Sequence, residues 1–166
     1  RFPNWMTDGV YPAYIYVTGN PLRSRTRKNK SINIFLKVME FTTDHIHLKA
    51  QNALESSKWY VEHFGAIITE QVDWTNMFTI RLLLGGVMIN VTQHKDTVLE
   101  KGTFEPHLGL DHFGIKTDNI DDVWSMLEET GTQFLSPIKS LPNGTRVFFI
   151  KGPDNVRIEL LEYPHR

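Results

Sequence analysis

The chain contains no cysteine. That removes disulfides, thiolate metal sites and cysteine nucleophiles together, and any metal must be held by His, Asp, Glu, Asn or Gln. It leaves the redox compartment open. Excess charge of either sign is also missing. The 18 Lys and Arg residues are matched by 19 Asp and Glu, a formal net charge of −1. No global field draws in nucleic acid or acidic lipid. No apolar run approaches the roughly 18 residues that a membrane span needs. Neither nucleic acid nor a membrane is therefore expected as a partner, and a cytoplasmic location is the expectation. What is present is ordinary for a globular protein: 166 residues, 40% hydrophobic and 11% aromatic. That suffices for one domain or two closely fused halves.

Residues 1–40 differ from the rest. They hold a basic polar run, Arg23-Ser24-Arg25-Thr26-Arg27-Lys28-Asn29-Lys30, and an aromatic stretch from Tyr11 to Val17. Three readings stand. The segment is a loosely ordered extension, an accessory strand or arm packing on a partner subunit, or sequence upstream of a natural start at Met39.

From about Thr42 the chain repeats itself. Asp44-His45-Ile46-His47-Leu48-Lys49-Ala50 alternates as a strand should and leads to a helix start at Asn52. Asp111-His112-Phe113-Gly114-Ile115-Lys116-Thr117 does the same and leads to Asn119. Both Asn residues are helix N-caps, the first within an Asn52-Ala53-Leu54-Glu55 capping box. In the first helix Leu54, Trp59, Val61 and Phe64 recur at roughly helical spacing, and Gly65 stops it. Strand-like runs follow at 66–72, 78–84 and 87–92. In the second half they fall near 133–140, 145–151 and 156–163. Each half thus reads strand, helix, strand, strand, strand. The far ends also align: Gly86-Val87-Met88-Ile89-Asn90-Val91 answers Asn155-Val156-Arg157-Ile158-Glu159-Leu160. Such halves pair about a pseudo-twofold axis and bring equivalent positions together. The expected fold is α+β: two βαβββ modules, 42–93 and 108–163, within a domain at 41–166. They form a U-shaped, partly open mixed-sheet barrel around a metal site.

The first and last strands of the halves then carry His45, Asn90, His112 and Glu159 toward one cavity. Two neutral imidazoles and one carboxylate suit a divalent ion such as Zn²⁺, Fe²⁺, Mn²⁺, Ni²⁺ or Co²⁺. Three protein ligands leave positions open for substrate, as catalytic sites require. His45, His112 and Glu159 are the expected metal ligands. Asn90 supplies a weak amide-oxygen ligand or a substrate contact. His47 follows His45 by two positions, so a regular strand points both to one face. It is read as a general acid/base or oxyanion donor, or else as a hydrogen-bonding wall residue. Arg157 shares the face of Glu159. It pairs with an anionic substrate group or forms a salt bridge. Trp59, Tyr60 and Trp124 are read as core, and His63, His94, His107 and His165 as surface.

The chain resembles the vicinal oxygen chelate superfamily, which includes glyoxalase I, methylmalonyl-CoA epimerase, extradiol dioxygenases, fosfomycin-modifying transferases and bleomycin-resistance proteins. The carriers of the resemblance span about 42–163. They are Asp44-His45 leading to Trp59-Tyr60 and Phe64-Gly65, then Asp111-His112-Phe113-Gly114-Ile115, then Gly152-Pro153-Asp154 leading to Ile158-Glu159-Leu160. The resemblance implies metal ligands at His45, His112 and Glu159, with the family's variable fourth position at Asn90. Asn is shorter and more weakly donating than the Glu or Gln often found there. The family's Asp-Pro-Asp-Gly-Asn turn is altered to Gly152-Pro153-Asp154-Asn155, with the spacing from Pro153 to Glu159 retained.

The implied function is metal-dependent lyase or isomerase chemistry of the glyoxalase type on a small oxygenated substrate. The ion polarises substrate oxygens, and Glu159 or His47 moves the proton. The alternatives are an Fe(II) extradiol-type ring-cleavage dioxygenase, and a non-catalytic binding or sequestration protein of the bleomycin-resistance type. Relatives include dimers whose sites are completed across subunits, so a homodimer is also an expectation.

Overall fold

Two asparagines set the helices. Asn52 is extended, with φ −133°, and its side-chain oxygen accepts the N–H groups of Leu54 and Glu55. Asn119 caps likewise, accepting from the Asp122 N–H at 3.1 Å. Each cap satisfies donors that a helix start otherwise leaves orphaned. Helix α1 spans Ala53–Phe64 and ends at Gly65, whose φ of 66° is a left-handed cap. Helix α2 spans Ile120–Glu129.

The computed structural model describes residues 42–105 and 107–164. The expectations for 1–40, the candidate start at Met39 and the surface reading of His165 lie outside these residues.

The first half is β1 (His45–Lys49), α1, β2 (Ile67–Asp73), β3 (Met77–Leu84) and β4 (Val87–His94). Its sheet has the order β1-β4-β3-β2, with β1 parallel to β4 and the other pairs antiparallel. The second half is β5 (Phe113–Lys116), α2, β6 (Gln133–Phe134), β7 (Lys139–Ser140), β8 (Arg146–Lys151) and β9 (Arg157–Glu162). Its sheet runs β5-β9-β8-β6, with β7 also on β8. The fold is α+β, with two mixed sheet modules and no closed barrel among the described residues. No described helix is long and apolar enough to cross a membrane.

The repeat holds to the residue. His47 pairs with Asn90, and Gly114 pairs with Glu159. Lys49 pairs with Thr92, and Lys116 with Leu161. On the other flank Arg81 faces Asn90 and Phe149 faces Glu159. A one-residue slip would move every side chain to the opposite face. Identical registers therefore fix identical faces in the two halves.

One face of each sheet is core. Ile80, Leu82, Ile89 and Val91 from the first join Phe148, Ile150, Ile158 and Leu160 from the second in a single apolar cluster. Full burial of each such side chain stabilises the fold by about 1.5–3 kcal/mol. Tyr60 is buried in this cluster, with Trp59 and Trp124 packed against it, as expected of core aromatics.

Three details differ from the sequence-based reading. Leu54 is 55% exposed, because α1 turns Ala53, Ser56, Ser57 and Tyr60 inward instead. Those positions share one helical stripe, where the small Ala53, Ser56 and Ser57 admit close approach of the helix to the sheet and Tyr60 fills the core. The run at 133–140 is two short strands, not one. Pro137 lies between them and has no N–H for the ladder. Strand β5 begins at Phe113, so His112 stands one residue ahead of its strand, whereas His45 opens β1.

The halves are also tied by a polar clamp. Asp154 sits in the Pro153–Asn155 turn with φ 55°. Its carboxylate accepts the Gln51 N–H at 3.1 Å and the Ser56 hydroxyl at 2.8 Å. The altered turn has a steric reason for its first glycine. A Cβ at Gly152 would stand 2.8 Å from Ile158 Cδ1, inside the van der Waals limit.

Candidate metal and substrate site

The face of each sheet opposite the core carries the expected site residues. On the first it presents His45, His47, Asn90 and Thr92, and on the second Gly114, Phe149, Arg157 and Glu159. His112 lies just ahead of β5, at the same end of the second sheet.

Both Asp-His pairs are built alike. Asp44 Oδ2 lies 2.6 Å from His45 Nδ1, and Asp111 Oδ2 lies 2.6 Å from His112 Nδ1. With Nδ1 held as a donor, each imidazole keeps Nε2 as its lone-pair nitrogen. A carboxylate on the far nitrogen is the usual support of a metal-binding histidine. The hydrogen bond from His112 holds the Asp111 carboxyl below the usual carboxylate range, and Arg157 adds to this. The His45 hydrogen bond does the same for Asp44. Sequence reasoning used both aspartates as landmarks and gave them no role.

In the second half, His112 Nε2 stands 3.4 Å from Glu159 Oε2. Gly114 leaves room for that carboxylate: a Cβ there would lie 3.4 Å from Glu159 Oε2 and 3.0 Å from Leu161. Arg157 lies over the Phe149 ring at 4.3 Å and reaches Asp111 Oδ1 at 3.4 Å. His112 meets the same ring edge-on at 5.1 Å. In the first half, His45 and His47 stand 5.9 Å apart, centroid to centroid. Asn90 is 7% exposed, and its side-chain oxygen has no hydrogen-bond donor among the described residues. His47 Nε2 lies 2.8 Å from the Thr92 hydroxyl. Burial pushes the His47 imidazole below the usual histidine range, with Lys49 adding to the effect.

The structure thus places the expected residues in two candidate half-sites, one per module. Among the described residues no three His, Asp or Glu side chains stand close enough to hold a metal ion. His112 and Glu159 are neighbours, and His45 is not among them.

Between the halves lies a cleft of about 340 Å³. It is lined by residues 47–51 of the first half and by 110–113 and 154–157 of the second, and the connecting segment at 99–103 forms a further wall. His47, His112 and Arg157 border it. So does His107, which is exposed, as expected of a surface residue. Its ring nitrogens lie 2.9 and 3.1 Å from the Glu105 and Leu110 carbonyl oxygens. Nothing in the repeat could have found it, because it lies in the connection between the copies. Strands β1 and β5 are both edge strands, and no backbone pairing links them.

The donors suit a divalent ion as far as each half goes. Two carboxylate-supported imidazoles, a carboxylate beside one of them and an orphaned amide oxygen form a nitrogen and oxygen set of the right type.

Solved structures share this fold. One is a glyoxylase/bleomycin resistance protein/dioxygenase domain from Frankia sp. EAN1pec, 20% identical with a TM-score of 0.65, covering 76% of this chain and 100% of its own. A glyoxalase family protein from Enterococcus faecalis is 24% identical with a TM-score of 0.63, covering 73% and 97%. The fosfomycin resistance protein FosX from Listeria monocytogenes is 17% identical with a TM-score of 0.57, covering 76% and 96%. No curated protein sequence matches the chain. The model of one family matches residues 42–160, and the chain belongs to that family, the Glyoxalase/Bleomycin resistance protein/Dioxygenase superfamily.

Proposed function

We propose that the protein is a metal-dependent enzyme of the glyoxalase type, a lyase or isomerase acting on a small oxygenated substrate. His45, His112 and Glu159 would hold one divalent ion, with Asn90 beside them. The observation that carries this reading is the pair of carboxylate-supported imidazoles at repeat-equivalent positions, one of them 3.4 Å from Glu159. When bound, the ion supplies Lewis-acid polarisation of substrate oxygens.

The chain's own residues account for the rest. His47 borders the cleft, and partial desolvation lowers its imidazole below the usual histidine range, which suits it to accept a proton from a substrate. Arg157 is anchored on Phe149 with its guanidinium at the cleft, where it pairs with an anionic substrate group.

We further propose that the two half-sites join across a homodimer. Among the described residues the outer edges of β1 and β5 are unpaired, and they lie next to His45 and His112. An unpaired edge is a template for a strand from another chain. Pairing β1 of one copy with β5 of another would set His45 against His112 and Glu159 of its partner in a twofold arrangement.

A second reading follows from the donor type. Two histidines and one carboxylate with open positions also suit an Fe(II) ring-cleavage dioxygenase. Protein loaded separately with Zn²⁺, Mn²⁺, Ni²⁺, Co²⁺ and, anaerobically, Fe²⁺ separates the readings. Turnover of hemithioacetal or epimerase-type substrates with a redox-inert ion supports the first. Oxygen uptake coupled to catechol cleavage, with Fe²⁺ alone, replaces it with the second. Tight ligand binding without turnover under any ion leaves a sequestration protein.

A further inference from the structure

We propose that Thr92, backed by Thr79, is a positioning residue that commits one ring nitrogen of His47 and so decides which nitrogen is free for chemistry. His47 Nε2 lies 2.8 Å from Thr92 Oγ1, and Thr92 Oγ1 lies 2.8 Å from Thr79 Oγ1. The three side chains come from adjacent strands β1, β4 and β3, with Thr79 directly opposite Thr92 in the ladder. Thr92 is wholly buried.

A hydroxyl donates one proton and accepts others. Two hydroxyls and a ring nitrogen in series therefore admit two ordered arrangements. In one, Thr79 donates to Thr92 and Thr92 donates to Nε2, which leaves Nδ1 protonated as a donor. In the other, Nε2–H donates to Thr92 and Thr92 to Thr79, which leaves Nδ1 as the lone-pair acceptor. Either way Nε2 is engaged and Nδ1 is the working atom. The two arrangements exclude each other within a molecule, because both hydroxyls must point the same way along the chain, and one of them predominates.

The repeat supplies the control. The positions of His47, Thr92 and Thr79 correspond by register to Gly114, Leu161 and Val147. All three members are present in one half, and all three are replaced by apolar residues or glycine in the other. A wall position with no hydrogen-bonding duty takes an apolar residue, as the half-buried Leu161 and the buried Val147 show. Threonine at both places in the first half, on the one sheet that carries His47, is explained by the imidazole it holds.

The catalytic consequence rests on His47 being the acid/base group of the proposed reaction, whereas the geometry of the chain does not. The test reads the imidazole directly. Long-range ¹H–¹⁵N spectra of ¹⁵N-histidine-labelled protein, recorded without added metal, report the tautomer of His47. Wild type and Thr92→Ser should each show a single neutral tautomer. Thr92→Val should show the averaged pattern of a mixture, and Thr79→Val should shift the His47 pattern by removing the second hydroxyl. An averaged pattern already in wild type, or an unchanged pattern in Thr92→Val, overturns the proposal. If Thr92→Val does not fold, an unchanged pattern in Thr79→Val overturns it equally. A fixed tautomer in a protein without turnover under any ion would sink the functional reading and leave this one standing. Where turnover is found, Thr92→Val should lower kcat at least tenfold with KM little changed, and Thr92→Ser should restore it.

Discussion

The imidazole of His112 stands with Nε2 3.4 Å from Glu159 Oε2 while Asp111 holds its other nitrogen at 2.6 Å. Among the described residues this is the most complete fragment of the proposed metal centre. It makes Asp111 the first residue to test. Asp111→Asn can still accept the Nδ1–H bond but loses the charge that raises ligand basicity. Metal affinity should fall about 10–100-fold, measured by competitive titration, with the midpoint of chemical unfolding little changed.

Glu159→Gln removes the only carboxylate of the proposed ligand set and leaves its shape. Metal binding should be lost or weakened beyond the Asp111→Asn effect. Folding should persist, because Glu159 faces away from the apolar core that Ile158 and Leu160 enter. Unfolding of the variant on expression would mean that the residue is structural.

A third prediction concerns acid stability away from the site. Arg146 grips both carboxylate oxygens of Asp121 at 2.7 Å, tying the first turn of α2 to β8. The Arg146 hydrogen bonds hold the Asp121 carboxyl below its usual range. A carboxyl whose folded pKa is depressed contributes stability that is full above its unfolded value, near 3.8, and is lost as pH falls through the folded value. Asp121→Asn should therefore unfold more readily than wild type near pH 7. The two unfolding midpoints should converge as pH falls below the depressed folded value. A constant difference across that window would show that the loss is one of packing, not charge.

Gly152→Ala tests why the family's usual turn is altered here. Its Cβ would meet Ile158 Cδ1 at 2.8 Å, one residue before Glu159. The substitution should destabilise the fold by about 1–3 kcal/mol, read by chemical denaturation. It should also weaken metal binding, because relieving the clash shifts the strand that carries Glu159.

Much of this was legible in the chain. The repeat of Asp-His, Asn cap and closing strand specified two modules, and the observed registers of His47 with Asn90 and Gly114 with Glu159 are those an exact repeat requires. What escaped depended on contacts between segments remote in sequence. The inward face of α1 could not be read from hydrophobicity, because its buried positions include Ser56 and Ser57. His107 lies between the repeats and had no counterpart to mark it. Thr92 looked like any strand threonine until its distance to His47 was known. Parity placed His45, His112 and Glu159 on matching faces, but it could not say whether one chain closes them into one site. That depends on how the outer edges of β1 and β5, unpaired among the described residues, are covered.

The direct test of that closure is metal stoichiometry in mixed variants. Wild type should bind one divalent ion per chain, and His45→Ala and His112→Ala should each bind none tightly. In a twofold dimer with shared sites, mixing the two defective proteins yields hybrids with one intact site. Equal mixing with random exchange should recover about a quarter of the wild-type metal. No recovery, with subunit exchange verified, would mean that the site closes within one chain. Full metal content in both single variants would show that His45 and His112 hold no metal, and would contradict the account at its centre.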